Sequence, residues 1–299
     1  MDNIAKELIR AELNKHVSHS GSQVKSAAKL KVSNATVSKI IAGKDDGLGD
    51  AMWVKISKQL GMRLDQIWYH ADTRPAIKLR GYFDDARMHG NVFGLVCTPG
   101  SGKTDMLDNY VKEEKNVFYV KCERHMTEKE LLAKILQSMG IKSNAGTVSL
   151  LTSIIKERVD KYKQPIIIID EMEKVRNGLL LLFIDLYNAL WKRCGIVLIG
   201  THNLRDRIEL GEARGSIGFN EILSRLGGKF IEIPTPDYDD AILVAKTNGV
   251  TDTESLAFIA NGAAIKNGVV DMRRVERLVH AWKQKQAELE DMKNQEEAA

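Results

Sequence analysis

"NVFGLVCTPGSGKTDMLDNYVKEE", Asn91–Glu114, decides how the rest of the chain is read. Val92–Val96 is a short apolar run of the kind that forms a buried strand. Lys103 onward reads as a helix. Between them lie Thr98, Pro99, Gly100, Ser101 and Gly102. The two glycines allow a sharp turn and let another group approach the backbone. Strand, glycine-rich turn and helix N-terminus, in that order, aim several N–H groups and the positive end of the helix dipole at one spot. Such a spot cradles phosphate oxygens. Lys103 then supplies a point charge for the outer phosphates of ATP, and Thr104 a hydroxyl for Mg²⁺, with Asp105 in the same first turn. Cys97 stands where such loops usually begin with glycine. A small side chain fits there if its φ is negative.

A second stretch answers the first. "IIIIDE", Ile166–Glu171, is apolar on both faces, as a central parallel strand covered on both sides must be. It ends in two acids. In an open α/β sheet, ligands sit beyond the carboxyl ends of the strands. Asp170 there is placed to hold Mg²⁺, and Glu171 to polarise an attacking water. "NVFYVKC" (116–122), "CGIVLIG" (194–200) and "KFIEIP" (229–234) are further strands, with helical stretches at 103–115, 127–139, 147–162 and 178–193. This alternation means βαβ units: an α/β fold with a doubly wound parallel sheet.

The flanks are helical. Residues 1–72 read as short helices, among them "SQVKSAAKLKV" and "SNATVSKIIAG" separated by a tight turn, with Ser33 as a cap. "HADTRPAIKLRG" (70–81) reads as a linker in which Pro75 breaks any preceding helix. The span 73–89 is a linker or an N-terminal helix leading into an α/β core at 90–234. A small helical lid follows at 235–283, then a polar, fraying tail at 284–299.

Composition narrows the partners. The net charge is +4 over 299 residues. Residues 1–75 carry twelve Lys and Arg against eight Asp and Glu, a surplus equal to that of the whole chain. A nucleic-acid contact is therefore expected near the N-terminus. Three cysteines without CxxC spacing argue against a disulfide framework or a zinc site and for a cytoplasmic location. The longest apolar run, "LLLLFI" at 179–184, is far short of the ~20 residues of a membrane helix. The N-terminus lacks the pattern of a secretory signal.

The order "PGSGKT", "IIIIDE", "GIVLIGTHN", "EILSRL", "VVDMRRVERL" resembles that of the AAA+ ATPases over residues 78–283. The resemblance implies a polar sensor after the fourth strand, at Thr201 or Asn203, with Thr201 first after Gly200. It implies an arginine finger at Arg225, with Arg207 and Arg214 as rivals. It implies a lid arginine at Arg273 or Arg274. "SQVKSAAKLKVSNATVSKIIAGK" resembles a phage-repressor helix-turn-helix, in which Ala27 and Ala28 let the helices approach and Ser33, Asn34, Thr36, Ser38 and Lys39 face outward. Short polar side chains there are suited to base edges and phosphates, and Lys25, Lys29, Lys31 and Lys44 to phosphate attraction.

A repressor-like domain before such a module resembles the ATP-dependent target-DNA activators of the phage Mu transposition protein B group. That resemblance implies filaments, homo-oligomers on double-stranded DNA, that recruit a transposase and come apart on ATP hydrolysis. It also implies DNA contacts from the loop "KCERHMTEK", through Lys121, Arg124 and Lys129, with Lys174 and Arg176 next. Two other readings share these motifs: a nucleotide-switched transcriptional regulator and a replicative helicase loader.

Overall fold

The computed structural model describes residues 3–44, 47–62, 68–142 and 146–297. It divides into two compact units, Met1–Tyr69 with Lys283–Ala299, and His70–Trp282.

The first unit holds α1 (Asn3–Ser20), α2 (Gln23–Lys29), α3 (Asn34–Ile41) and α4 (Asp50–Gln59). Ile9, Leu13, Leu30, Val37, Ile40, Trp53 and Ile56 form its core. Ser22 and Ser33 cap α2 and α3, accepting from the N–H of Lys25 and Thr36. The turn between them is tight: Lys31 takes φ 49 and the Val32 N–H donates to the Ala27 carbonyl at 3.1 Å. Ala27 is buried, but Ala28 is exposed. Only one of the two alanines therefore serves the close approach of the helices.

In the second unit, β1 (Val92–Val96), β2 (Val117–Lys121), β3 (Ile166–Asp170), β4 (Gly195–Gly200) and β5 (Ile231–Glu232) form one parallel sheet in the order β2-β3-β4-β1-β5. All five strands lie where the sequence placed them. The alternation of side chains along β3 and β4 builds two cores. Ile167, Ile169, Ile196 and Leu198 face α7 (Glu128–Ser138), α8 (Val148–Val159) and α9 (Asn177–Leu190). Ile166, Ile168, Val197 and Ile199 face α5 (Arg74–His89) and α6 (Lys103–Glu113). The sheet is therefore covered on both faces. Burying each of these side chains contributes about 1.5–3 kcal/mol.

Of the two forms expected for 73–89, linker or N-terminal helix, the structure has the helix, and it begins within the 70–81 stretch read as a linker. Helix α5 starts at Arg74, with Thr73 accepting from the Ala76 N–H and Pro75 in the first turn. Proline is tolerated there because that N–H has no helical partner in any case. Ala76, Leu79, Phe83 and Ala86 are buried, so α5 is a packing element of the core.

After β4 come α10 (His202–Ala213) and α11 (Phe219–Arg225). The lid consists of α12 (Tyr238–Thr247), α13 (Thr253–Ala263) and α14 (Met272–Glu297). Arg74 ties α5 to α12, its backbone N–H donating to Asp240 at 2.9 Å and its guanidinium at 3.1 Å. Helix α14 continues through residues expected as a polar tail, up to Glu297.

Candidate functional site

The turn after β1 has the shape its glycines require. Gly100 and Gly102 take φ +80 and +81, and the next residue opens α6. Cys97 is not among the residues of positive φ. It extends β1, with its N–H donating to the Gly200 carbonyl at 2.9 Å. The glycine usual at that point is therefore dispensable in this loop. Burial pushes the Cys97 thiol up to about 12, against the pull of Lys103, so it is not a thiolate nucleophile.

The lid closes directly on this turn. The Met272 N–H donates to the Gly100 carbonyl at 2.8 Å. A Cβ at Gly100 would lie 2.6 Å from Asp271 Oδ1, and one at Gly102 would lie 3.6 Å from Met272 Cγ. Only backbone without a side chain fits beneath Asp271. The hydroxyls of Thr98 and Ser101 are buried without a hydrogen-bond partner among the described residues. Buried polar atoms are normally satisfied, and those that are not call for a ligand or a role. A phosphate group would meet both.

Lys103 and Asp170 form an ion pair, with the Asp170 side chain only 2% exposed. The Glu171 N–H donates to Asp170 Oδ1 at 2.8 Å and the Tyr119 hydroxyl to Oδ2 at 3.2 Å. Both oxygens are thus held in place. Thr104 is exposed on the first turn of α6. Asp105 is engaged with His70, Oδ2 to Nδ1 at 2.5 Å. That hydrogen bond raises the His70 pKa against the opposing effect of burial.

Glu171 adopts the left-handed conformation, φ 59, which turns the chain into a single 3-10 turn at Met172–Lys174. Its carboxylate meets Lys174 at 2.6 Å and Lys121 at 3.4 Å. Burial pushes this carboxyl up, but the two lysines outweigh it and hold it below the ordinary range. Two of the expected DNA contacts, Lys121 and Lys174, are thereby brought to the acid pair rather than left free. Arg124, Lys129 and Arg176 are exposed.

Of the two residues expected as a sensor, Thr201 has a buried hydroxyl without a partner among the described residues, whereas Asn203 is exposed on α10. Arg225 lies on α11 with its guanidinium 4.9 Å from the Tyr187 ring centre and 2.8 Å from Glu221. Tyr187 in turn stacks on Trp191. Arg207 is committed elsewhere, donating to the Val175 carbonyl at 2.6 Å and to Asn177 Oδ1. Arg273 and Arg274 are both exposed. The Arg273 N–H is capped by Asp271 at 2.9 Å, while Arg274 reaches the Ala264 carbonyl at 3.5 Å. On α3 and its cap, Asn34, Ser38 and Lys39 are exposed, and Ser33 and Thr36 bond to each other at 2.8 Å. No expectation singled out Asp271, Tyr119 or Glu173. Their positions beside the loop and the ends of β3 and β4 come from packing; the only sequence cue was the acid two places after Glu171.

Residues 86–208 match the family described as an AAA domain. The chain therefore carries an AAA-type ATPase domain, set on the α/β sheet described above. Two solved structures are similar to it. One is a chain of Drosophila ORC bound to DNA: 12% identity over 70% of this chain and 53% of that one, TM-score 0.42. The other is C. elegans PCH-2: 11% identity over 75% of this chain and 72% of that one, TM-score 0.38. This chain thus spans about half the length of the ORC chain. Likeness at this level carries no argument about function. A comparison with curated proteins finds no match. Among the described residues no helix is long and apolar enough to cross a membrane.

Proposed function

We propose that this chain is an ATP-hydrolysing protein that assembles on double-stranded DNA as a homo-oligomeric filament and delivers that DNA to a transposase. The observation that carries the nucleotide part is the Lys103–Asp170 pair beside a turn in which the hydroxyls of Thr98 and Ser101 are buried without a partner among the described residues. Lys103 moves from Asp170 to the outer phosphates when they enter. Thr104 and Asp170 are the residues that would hold Mg²⁺, which when bound neutralises charge on the transferred phosphoryl group. Glu171, kept ionised by Lys174 and Lys121, is the base candidate for the attacking water. Arg225 is a permanently charged, planar fork, half-buried against Tyr187. Leaving Glu221, it would complete the site of a second copy, so that each triphosphate is shared by two subunits.

The DNA part rests on exposed Arg124, Lys129 and Arg176 as phosphate contacts of the assembled filament, with the basic N-terminal quarter and the exposed Asn34, Ser38 and Lys39 of α3 as a further contact. The transposase rests on the motif order alone. Electron microscopy of the protein with long DNA, with and without a non-hydrolysable ATP analogue, tests the whole reading. Filaments are expected only when both are present. A chain that stays monomeric under all conditions refutes it. The capped α2–α3 pair also favours a second reading, a nucleotide-switched regulator. In that case deletion of residues 1–72 abolishes DNA binding, whereas the filament reading expects ATP-dependent binding to survive.

A further inference from the structure

Two acids follow β3, and the structure treats them differently. Glu171 is paired with two lysines. Glu173, two residues on, has an Oε2 that is buried and has no hydrogen-bond partner among the described residues. The hydroxyl of Thr201 is in the same condition. The two belong to neighbouring strand ends. A Cβ built on Gly200, the residue before Thr201, would lie 2.8 Å from Glu173 Oε2. Glycine at 200 leaves room for the carboxylate and for Leu204, whose Cδ2 would lie 2.7 Å from the same Cβ.

Other contacts hold Glu173 in place. Its backbone lies in the 3-10 turn set by left-handed Glu171. Arg207 Nη1 donates to the carbonyls of Glu173 and Val175 at 3.4 and 2.6 Å, bracing the segment from α10. The phosphate loop is close by: the Cys97 N–H bonds the Gly200 carbonyl, and the Cys97 thiol feels Lys103, Asp170 and Glu173 together.

A carboxylate can only accept hydrogen bonds, and a threonine hydroxyl has one proton to give. We propose that Glu173 is a positioning residue for Thr201: when nucleotide is bound it accepts the hydroxyl proton of Thr201 in a hydrogen bond, so that Thr201 faces the site as an acceptor and orients the attacking water rather than a phosphate oxygen. This rests on the nucleotide reading above and deepens it. The charge on Glu173 thereby sets the polarity of Thr201. Glutamine at 173 keeps the shape but offers a donor as well, and the polarity is no longer enforced.

The test uses the full chain, with kcat and KM for ATP and the affinity for a fluorescent ATP analogue. E173Q is expected to keep its ATP affinity and KM and to lose kcat by on the order of tenfold or more. T201V should lose kcat to a similar extent, T201S should stay near wild type, and E173Q/T201V should be no slower than the worse single variant. Wild-type kcat in E173Q, or losses that multiply in the double variant, would overturn the proposal. If thermal unfolding shows that E173Q does not fold, the Thr201 pair decides: T201V at the wild-type rate overturns it, and a kcat loss at constant KM that T201S restores supports it. K103A separates the two levels. If the wild type itself neither binds nor hydrolyses ATP, the nucleotide reading and this inference fall together. If only K103A is dead while E173Q turns over normally, this inference alone falls.

Discussion

Gly100→Ala tests the contact between the turn after β1 and the lid. Gly100 sits at φ +80, and a Cβ there would lie 2.6 Å from Asp271 Oδ1 and 2.8 Å from its Cγ. Two costs follow. The left-handed conformation costs an alanine about 1–2 kcal/mol. Asp271 must also move, and its Oδ1 caps the Arg273 N–H at 2.9 Å, a cap worth about 1 kcal/mol. The sum is about 2–3 kcal/mol. For a unit the size of His70–Trp282, that corresponds to a fall in Tm of roughly 4–12 °C. Asp271→Ala removes the obstacle and the cap together. In that background Gly100→Ala should cost only the backbone part, about 1–2 kcal/mol, leaving a coupling of about 1 kcal/mol. Scanning calorimetry on the four proteins of this cycle measures it. An equal cost of Gly100→Ala in both backgrounds would refute the reasoning, because the alanine would then not be meeting Asp271.

Three other perturbations have defined outcomes. Lys103→Ala removes the one cation that the described residues bring to buried Asp170, which keeps the Tyr119 hydroxyl and the Glu171 N–H. The expected loss is about 2–3 kcal/mol in urea unfolding, together with loss of ATP binding; an unchanged midpoint with ATP still bound argues against both roles of the pair. Glu171→Gln should bind ATP and hydrolyse it about 10²–10⁴-fold more slowly, and Lys174→Ala should let the Glu171 carboxyl rise toward its ordinary range. A depressed carboxyl is lost only as pH falls through its folded value, so the acid limb of the Lys174→Ala rate profile should move to higher pH, and an unmoved limb would exclude the lysine as its cause. His70, raised by Asp105, adds stability that is complete below the ordinary histidine value of about 6.5 and is lost as pH rises through the raised one. An NMR titration should show the His70 pKa fall in Asp105→Asn, and a curve identical to wild type would dismiss the pair.

Local pattern determined much of this protein. The four consecutive isoleucines at 166–169 can only be a strand covered on both sides, and the spacing Gly100, Gly102, Lys103, Thr104 defines a turn into a helix N-terminus. Strand, turn and cap preferences act over a few residues, so a linear reading captures them. Pro75 left linker and helix both open for 73–89, because the same residue breaks one helix and opens another. Whether Ala76, Leu79 and Phe83 find a sheet to cover is a question of packing, and packing made residues 74–89 a helix.

The partners of the acids were decided at longer range. Lys121 and Lys174 read alike, as surface charges, until β2 and β3 pair and the 3-10 turn brings both to Glu171. Asp271 lies far along the chain from Gly100 and reaches it only because the lid folds back. Glu173 comes close to Gly200, the residue before Thr201, because β3 and β4 run side by side. Composition and period fix which residues form strands, turns and caps, since those energies are local. Which charge meets which, and which oxygen is left buried without a partner, depends on desolvation and on distances between segments remote in sequence, and these exist only once the sheet has assembled.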